Sequence, residues 1–144
     1  MQEWARGVMA SRPPDFVIGE GYLNRWHIIP RNDFGNVYLH DFGRSDDDRA
    51  LHDHPWRNVS YVIEGRYIEH TPDGQITRNA GDVVTRLATA MHRIELFPGE
   101  RATTLFFTGP KVREWGFDCP QGWRHWRDFT AGENGEIVGR GCGE

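Results

Sequence analysis

Ala50-Leu51-His52-Asp53-His54-Pro55-Trp56-Arg57-Asn58 decides how this chain is read. In extended backbone successive side chains alternate faces, so His52 and His54 point the same way, with Trp56 and Asn58 continuing the row if the strand stays regular. Two imidazoles on one row can close on a single metal ion. An ion held at about 2.0–2.1 Å from imidazole nitrogen nevertheless wants three or more protein ligands. His92 is the candidate third.

Outward from that stretch the chain reads as short strands parted by turn signals. On the N-terminal side, Tyr22 to Ile29 and Asn36 to Phe42 are rich in aromatic and branched residues and are separated by Pro30-Arg31-Asn32-Asp33-Phe34-Gly35. Arg44 to Arg49 follows as a polar loop. Its three consecutive aspartates lack the alternating ligands and glycine of a calcium loop, so a solvated loop is expected. On the C-terminal side, Val59 to Ile63 and Arg66 to His70 flank Glu64-Gly65 and read as a hairpin. Gln75 to Arg78, Val83 to Leu87, His92 to Phe97, Ala102 to Thr108 and Val112 to Phe117 are the remaining strands, each bounded by glycine, proline or asparagine. Met1 to Ala10 is the one helix candidate, with Trp4, Val8 and Met9 on one side, stopped at Ser11-Arg12-Pro13-Pro14. Gln121 to Glu144 has weak periodicity and is expected to pack as an arm with a frayed end. About nine or ten short strands and a single helix predict an all-β sandwich or barrel.

Composition narrows the function classes. The 144 residues suit one domain able to bury a core, and 38% hydrophobic content with 12% aromatics is too apolar for a disordered chain. The net charge of -4 comes from interspersed acids and bases, without the basic footprint of a nucleic-acid binder. No stretch approaches the roughly 18 apolar residues of a membrane span, and a cytoplasmic location is expected. Cys119 and Cys142, the latter in a glycine-rich end, are read as free thiols.

The two histidine stretches resemble the paired motifs of the cupin superfamily. The first such motif has two histidines one residue apart, a glutamate four or five positions later and a glycine after a further six. Here it reads His52-Asp53-His54, Asn58 where the glutamate would stand, and Gly65. The second has glycine, five residues, proline, one residue, glycine, two residues and histidine. Here it reads Gly81, five residues, Leu87, Ala88, Thr89, Ala90, Met91, His92. The spacing fits throughout; Asn58, Leu87 and Thr89 differ in identity. The run from His40 through Glu69 is also similar to small, poorly characterised cupins from bacteria and their phages. The resemblance implies a single jelly-roll β-barrel domain over residues 1–144, its core running from about 22 to 118, with a short N-terminal helix or arm and a C-terminal arm. It also implies that the motif strands face each other and bring His52, His54 and His92 onto one divalent transition metal. Imidazole ligands suit iron, and also nickel, manganese, cobalt or zinc.

Asn58 in place of the glutamate leaves a ligand position to fill. Its amide oxygen is one candidate, as a ligand or through a bridging water. Tyr67 and Glu69 are others. If Glu64-Gly65 is a two-residue turn, Ser60 pairs with Glu69 and Val62 with Tyr67, and both look into the histidine interior; a glycine bulge instead would send them outward. Facing inward, Glu69 is a fourth ligand or general acid/base and Tyr67 a proton donor or substrate hydrogen-bonder. Trp56 either lines the cavity mouth or joins the core. Arg86 and Arg113 are candidates to hold an anionic substrate, whereas Arg57 and Arg93 alternate away from the histidine rows and read as surface charges. His27, His40, His70 and His125 have no ligand spacing and are expected to be satisfied or exposed polar residues. The expected function is a metal-dependent enzyme, most plausibly an Fe(II) dioxygenase acting on a small molecule. The alternatives are metal-assisted hydrolysis or isomerisation, and a barrel that captures a small molecule or metal without chemistry, as a sensor or phage accessory protein. The expected partner is a small molecule, with no nucleic acid and no membrane, and a homodimer is a candidate assembly.

Overall fold

The computed structural model describes residues 1–47 and 49–143. It is 43% strand and 10% helix. Among the described residues a helix α1 (Gln2–Ser11) precedes ten strands: β1 (Phe16–Ile18), β2 (Leu23–His27), β3 (Asn36–Phe42), β4 (Asn58–Thr71), β5 (Gly74–Asn79), β6 (Val83–Arg86), β7 (Arg93–Glu95), β8 (Ala102–Thr108), β9 (Gly116–Cys119) and β10 (Gly122–His125). A single-turn helix α2 (Trp126–Phe129) follows. Among the described residues no helix is long and apolar enough to cross a membrane.

All strand pairings are antiparallel and β4 organises them. Its first half pairs with β8 and β6, placing it in a sheet that continues through β3, β2 and β1. Its second half pairs with β5 and β7. The backbone just before β7 bridges to His52, and His52 bridges to Phe117 of β9, which pairs with β10. Leu23, Phe42, Val62 and Ala102 of the first sheet pack on Tyr67, Ile94 and Leu96 of the second, forming the core between the layers. On the outer face of the first sheet, Trp26, Leu39 and Ile63 are covered by α1 through Ala5, Val8 and Met9. Trp4, expected on that face, is 41% exposed.

The expected hairpin at Glu64-Gly65 does not form. β4 runs through this position as one strand, and the ladder with β8 slips by one residue between Val62 and Glu64. The chain continues because β8 offers it partners on both sides of the slip, down to Gly65 with Ala102. Ile63 is the extra residue of this bulge, and Gly65, two residues further on and again paired with Ala102, has a φ of 79° that is open to glycine. A side chain there would also meet the Arg101 carbonyl oxygen at 2.2 Å. The slip exchanges the faces of the strand, so Asn58, Ser60 and Val62 are buried before it and Tyr67 and Glu69 after it. The sequence reading assigned that change of parity to a turn and sent it outward for a bulge; a bulge within a continuous strand produces the inward arrangement.

Two further expectations are corrected. Cys119 and Cys142 are joined in a disulfide, so neither is a free thiol. The bond ties the C-terminal arm to β9, where Ala50, Phe117, Phe129 and both cysteines form a separate apolar cluster. The polar loop is not wholly solvated either. Asp46 is buried, accepting hydrogen bonds from the Tyr22 hydroxyl and from the Ile94 amide, the latter at 2.6 Å. Asp47 pairs with Arg49, and Asp48 lies outside the described residues.

Candidate metal centre

His52 and His54 sit on the extended segment before β4, and His92 immediately precedes β7. The backbone amide and carbonyl of His52 exchange hydrogen bonds with those of His92, both at 2.9 Å, which sets the two rings side by side. Their centroids are 4.8 Å apart, and those of His54 and His92 5.1 Å. One ring nitrogen from each of the three lies within 4.8 Å of the others, close enough for one ion to reach all three. The segment is held from behind by the intervening Asp53. This buried carboxylate accepts from the Gly116 amide at 2.7 Å and the Trp123 indole at 3.0 Å, and pairs with Arg113 at 2.8 Å.

The electrostatics suit metal binding. Burial pushes the imidazolium pKa of His52 and of His54 well below its ordinary value, with the neighbouring histidines and Arg86 acting in the same direction. For His92 burial lowers it as well, against the opposing pull of the Glu69 carboxylate. Neutral imidazoles are the form a metal needs. His54 Nδ1 is buried with no hydrogen-bond partner among the described residues. His92 Nδ1 stands 2.6 Å from Glu69 Oε2, and since a carboxylate only accepts, Nδ1 carries the proton and Nε2 is left with its lone pair. Three neutral imidazoles with such free nitrogens fit a borderline transition metal.

Glu69 is itself clamped. Its Oε1 accepts from Arg78 Nε at 2.8 Å and its Oε2 from Arg86 Nε at 2.6 Å. Burial would push this carboxyl up, but the His92 hydrogen bond and the Arg86 charge outweigh it and hold the group at about 2. Arg86 also donates to Ser60 Oγ at 3.1 Å and more weakly to Asn58 Oδ1 at 3.4 Å. Asn58 is thus buried with its amide oxygen toward a guanidinium. Tyr67 is fully buried and lines the cavity, its hydroxyl beside the Arg86 guanidinium but outside hydrogen-bonding geometry among the described residues. Burial raises its pKa, and the Arg86 charge opposes the shift.

The cavity has a volume of about 830 Å³. His52, His54, Tyr67 and His92 form part of its wall, and the C-terminal arm contributes residues from Phe129 to Val138. Trp56 lines it too, stacked on His54 with ring centroids 5.5 Å apart. Arg86 and Arg113, read as anion-binding candidates, are both occupied inside the protein, Arg86 by Glu69 and Arg113 by Asp53 and the His54 carbonyl. Arg57 is exposed and Arg93 half-buried. His70 pairs with Glu95, His125 caps α2, and His27 packs at a tilt against Tyr38. His40 is buried on β3 as the acceptor for Arg25 of β2, a pairing with no signal in the sequence beyond strand alternation.

Comparison with solved structures identifies the architecture. A cupin-2 domain protein from Rhodospirillum rubrum superposes with a TM-score of 0.59 at 14% identity, over 69% of this chain and 68% of the other. A polyketide cyclase from Streptomyces resistomycificus gives 0.57 at 16% identity, over 71% and 80%. A cupin superfamily protein from Desulfitobacterium hafniense gives 0.54 at 16% identity, over 64% and 81%. No protein-family profile and no curated protein matches the sequence. The chain has the cupin fold, carrying a cluster of three histidines able to bind a metal.

Proposed function

We propose that this chain is a metal-dependent cupin enzyme, with His52, His54 and His92 as the metal ligands and a dioxygenase-type oxidation of a small molecule as its reaction. The observation that carries the reading is the convergence of three neutral imidazoles on an 830 Å³ cavity. An iron ion held by three neutral ligands would supply the one-electron chemistry that dioxygen needs to react with an organic molecule. Glu69 accepts the hydrogen bond from His92 Nδ1 and fixes the ring, and Arg78 and Arg86 keep it ionised. With both oxygens engaged, Glu69 acts as a positioning residue in this reading, in place of a ligand or proton carrier. Asn58 supports Arg86 from the same side. Tyr67, protonated at neutral pH, is the proton or hydrogen-bond donor toward the bound molecule.

The engagement of Glu69 also favours a second reading. With Glu69 committed to His92, Arg78 and Arg86, no carboxylate is left free beside the three histidines among the described residues, which suits a module that binds a small molecule without turning it over. Metal analysis of the protein purified without added ions, followed by oxygen uptake on adding Fe(II) and candidate substrates, separates the two. About one transition metal per chain that is lost in His52→Ala, His54→Ala and His92→Ala is the expected result. Equal metal in all four proteins would sink the site, and metal without substrate-dependent oxygen uptake would leave the binding module.

A further inference from the structure

The cavity contains a second polar feature, set apart from the histidines. Arg25 lies on β2 in register with His40 of β3, which is in register with Thr104 of β8, and all three line the cavity. Its Nε donates to His40 Nε2 at 2.9 Å, and its guanidinium sits over the Tyr38 ring at 4.4 Å. Among the described residues no carboxylate pairs with Arg25, unlike Arg78, Arg86 and Arg113, which each have one. His40 does not supply the missing charge. Burial and the adjacent guanidinium push its imidazolium pKa well down, so it faces Arg25 as a neutral acceptor. A guanidinium desolvated in this way is costly unless an anion joins it, and its planar fork matches an oxyanion with two oxygens. Burial lowers even the Arg25 pKa, to about 10, which leaves it charged.

One aromatic ring, that of Phe106, lies between His40 and the histidine cluster. Phe106 stacks on His40 with centroids 5.2 Å apart and meets His54 at 6.1 Å and Trp56 at 5.6 Å. Phe42 and Trp115 extend the apolar wall. The unpartnered Tyr67 hydroxyl and the histidine nitrogens supply the polar groups beyond it.

We propose that the cavity binds a small organic acid with an aromatic or similarly apolar body, its carboxylate on Arg25 and its far end toward Tyr67 and the three histidines. The inference deepens the function proposed above by naming a substrate class for the same cavity. Its anion site does not depend on a metal being present.

The test is calorimetric titration of the purified protein with benzoate, phenylacetate and 3-phenylpropionate, with phenylacetamide as the neutral control and inorganic phosphate as the small-anion control. Measurements are made with and without Fe(II) under nitrogen. At least one acid is expected to bind at least tenfold more tightly than the amide. Arg25→Gln should abolish that preference and Arg25→Lys retain part of it, with metal content unchanged in both. Binding of acid and amide alike, binding of none of the acids, or full affinity in Arg25→Gln would overturn the assignment. Phosphate binding as tightly as the acids would do so as well. The acid and amide comparison uses the wild-type protein, so it stands even if Arg25→Gln fails to fold. Arg25-dependent binding by protein that never takes up metal would uphold this inference and defeat the metal reading; metal uptake without acid binding would do the reverse.

Discussion

Glu69 is the residue on which the histidine cluster turns. It orients His92, and it neutralises two guanidinium groups, the buried one of Arg86 and the half-buried one of Arg78, that have no other carboxylate among the described residues. Glu69→Gln should lower metal affinity by about 10–100-fold, the usual cost of removing a carboxylate behind a ligating histidine. Leaving Arg86 unpaired should also destabilise the fold, by up to about 3–5 kcal/mol. Metal titration and urea unfolding check both effects. Glu95→Gln, at a half-exposed carboxylate that pairs with His70, should change neither, and identical behaviour of the two variants would end the positioning role. A second residue-scale outcome concerns Asp46. Burial raises its carboxyl pKa from 3.8 to about 7, against the opposing Ile94 amide. Below about pH 4 folded and unfolded chains both hold the proton. Between about pH 4 and 7 the unfolded chain releases it while the folded one keeps it, so this group subtracts stability as pH rises. Asp46→Asn should remove that slope, gaining stability relative to wild type from pH 4 to 8. A constant difference across that range would mean that Asp46 does not titrate in this way.

Among the elements, β4 does most to position the site, because its slip between Val62 and Glu64, just before Gly65, turns both Tyr67 and Glu69 inward. Gly65→Ala adds a side chain where φ is positive and the Arg101 carbonyl oxygen is in the way. It should cost at least about 1–3 kcal/mol. Since Glu69 lies beyond the slip, metal affinity should fall together with the melting temperature; an unchanged melting temperature would mean that the strand does not need glycine there. The C-terminal arm is the other element near the cavity. The disulfide between Cys119 and Cys142 closes a separation of 23 residues, which in the chain-entropy picture is worth about 3 kcal/mol. The double variant Cys119→Ser with Cys142→Ser should lose about that much in reversible denaturation and become sensitive to proteolysis between Phe129 and Cys142. Wild-type stability that is indifferent to a thiol reductant would show that the bond contributes little.

For the whole molecule, a metal shared by His52, His54 and His92 would join the segment before β4 to the start of β7, and so bind the folded state only. By mass action, free metal at 100 times its dissociation constant should stabilise the protein by about 2.7 kcal/mol. A chelator should therefore lower the melting temperature of the wild type and leave that of His54→Ala unchanged; equal shifts in both would place the metal elsewhere. At this scale the division between local and tertiary information is plain. β3 and β8 have the bounds that alternation and flanking turns predict, and the spacing of His52 and His54 puts two imidazoles on one row, because side-chain periodicity and turn chemistry are local properties, whereas His92 joins them only through the cupin resemblance. The course of the chain at Glu64-Gly65 was not legible, since a glycine at positive φ serves a turn and a bulge equally and only the partners offered by β8 select the bulge. The pairing of Cys119 with Cys142, the burial of Asp46 and the clamp on Glu69 likewise depend on residues distant in sequence. Arg25 is the clearest case. In sequence it is one polar residue in an alternating strand, and it becomes a desolvated cation without a carboxylate only when the layers close around it, because burial is a property of the packed molecule.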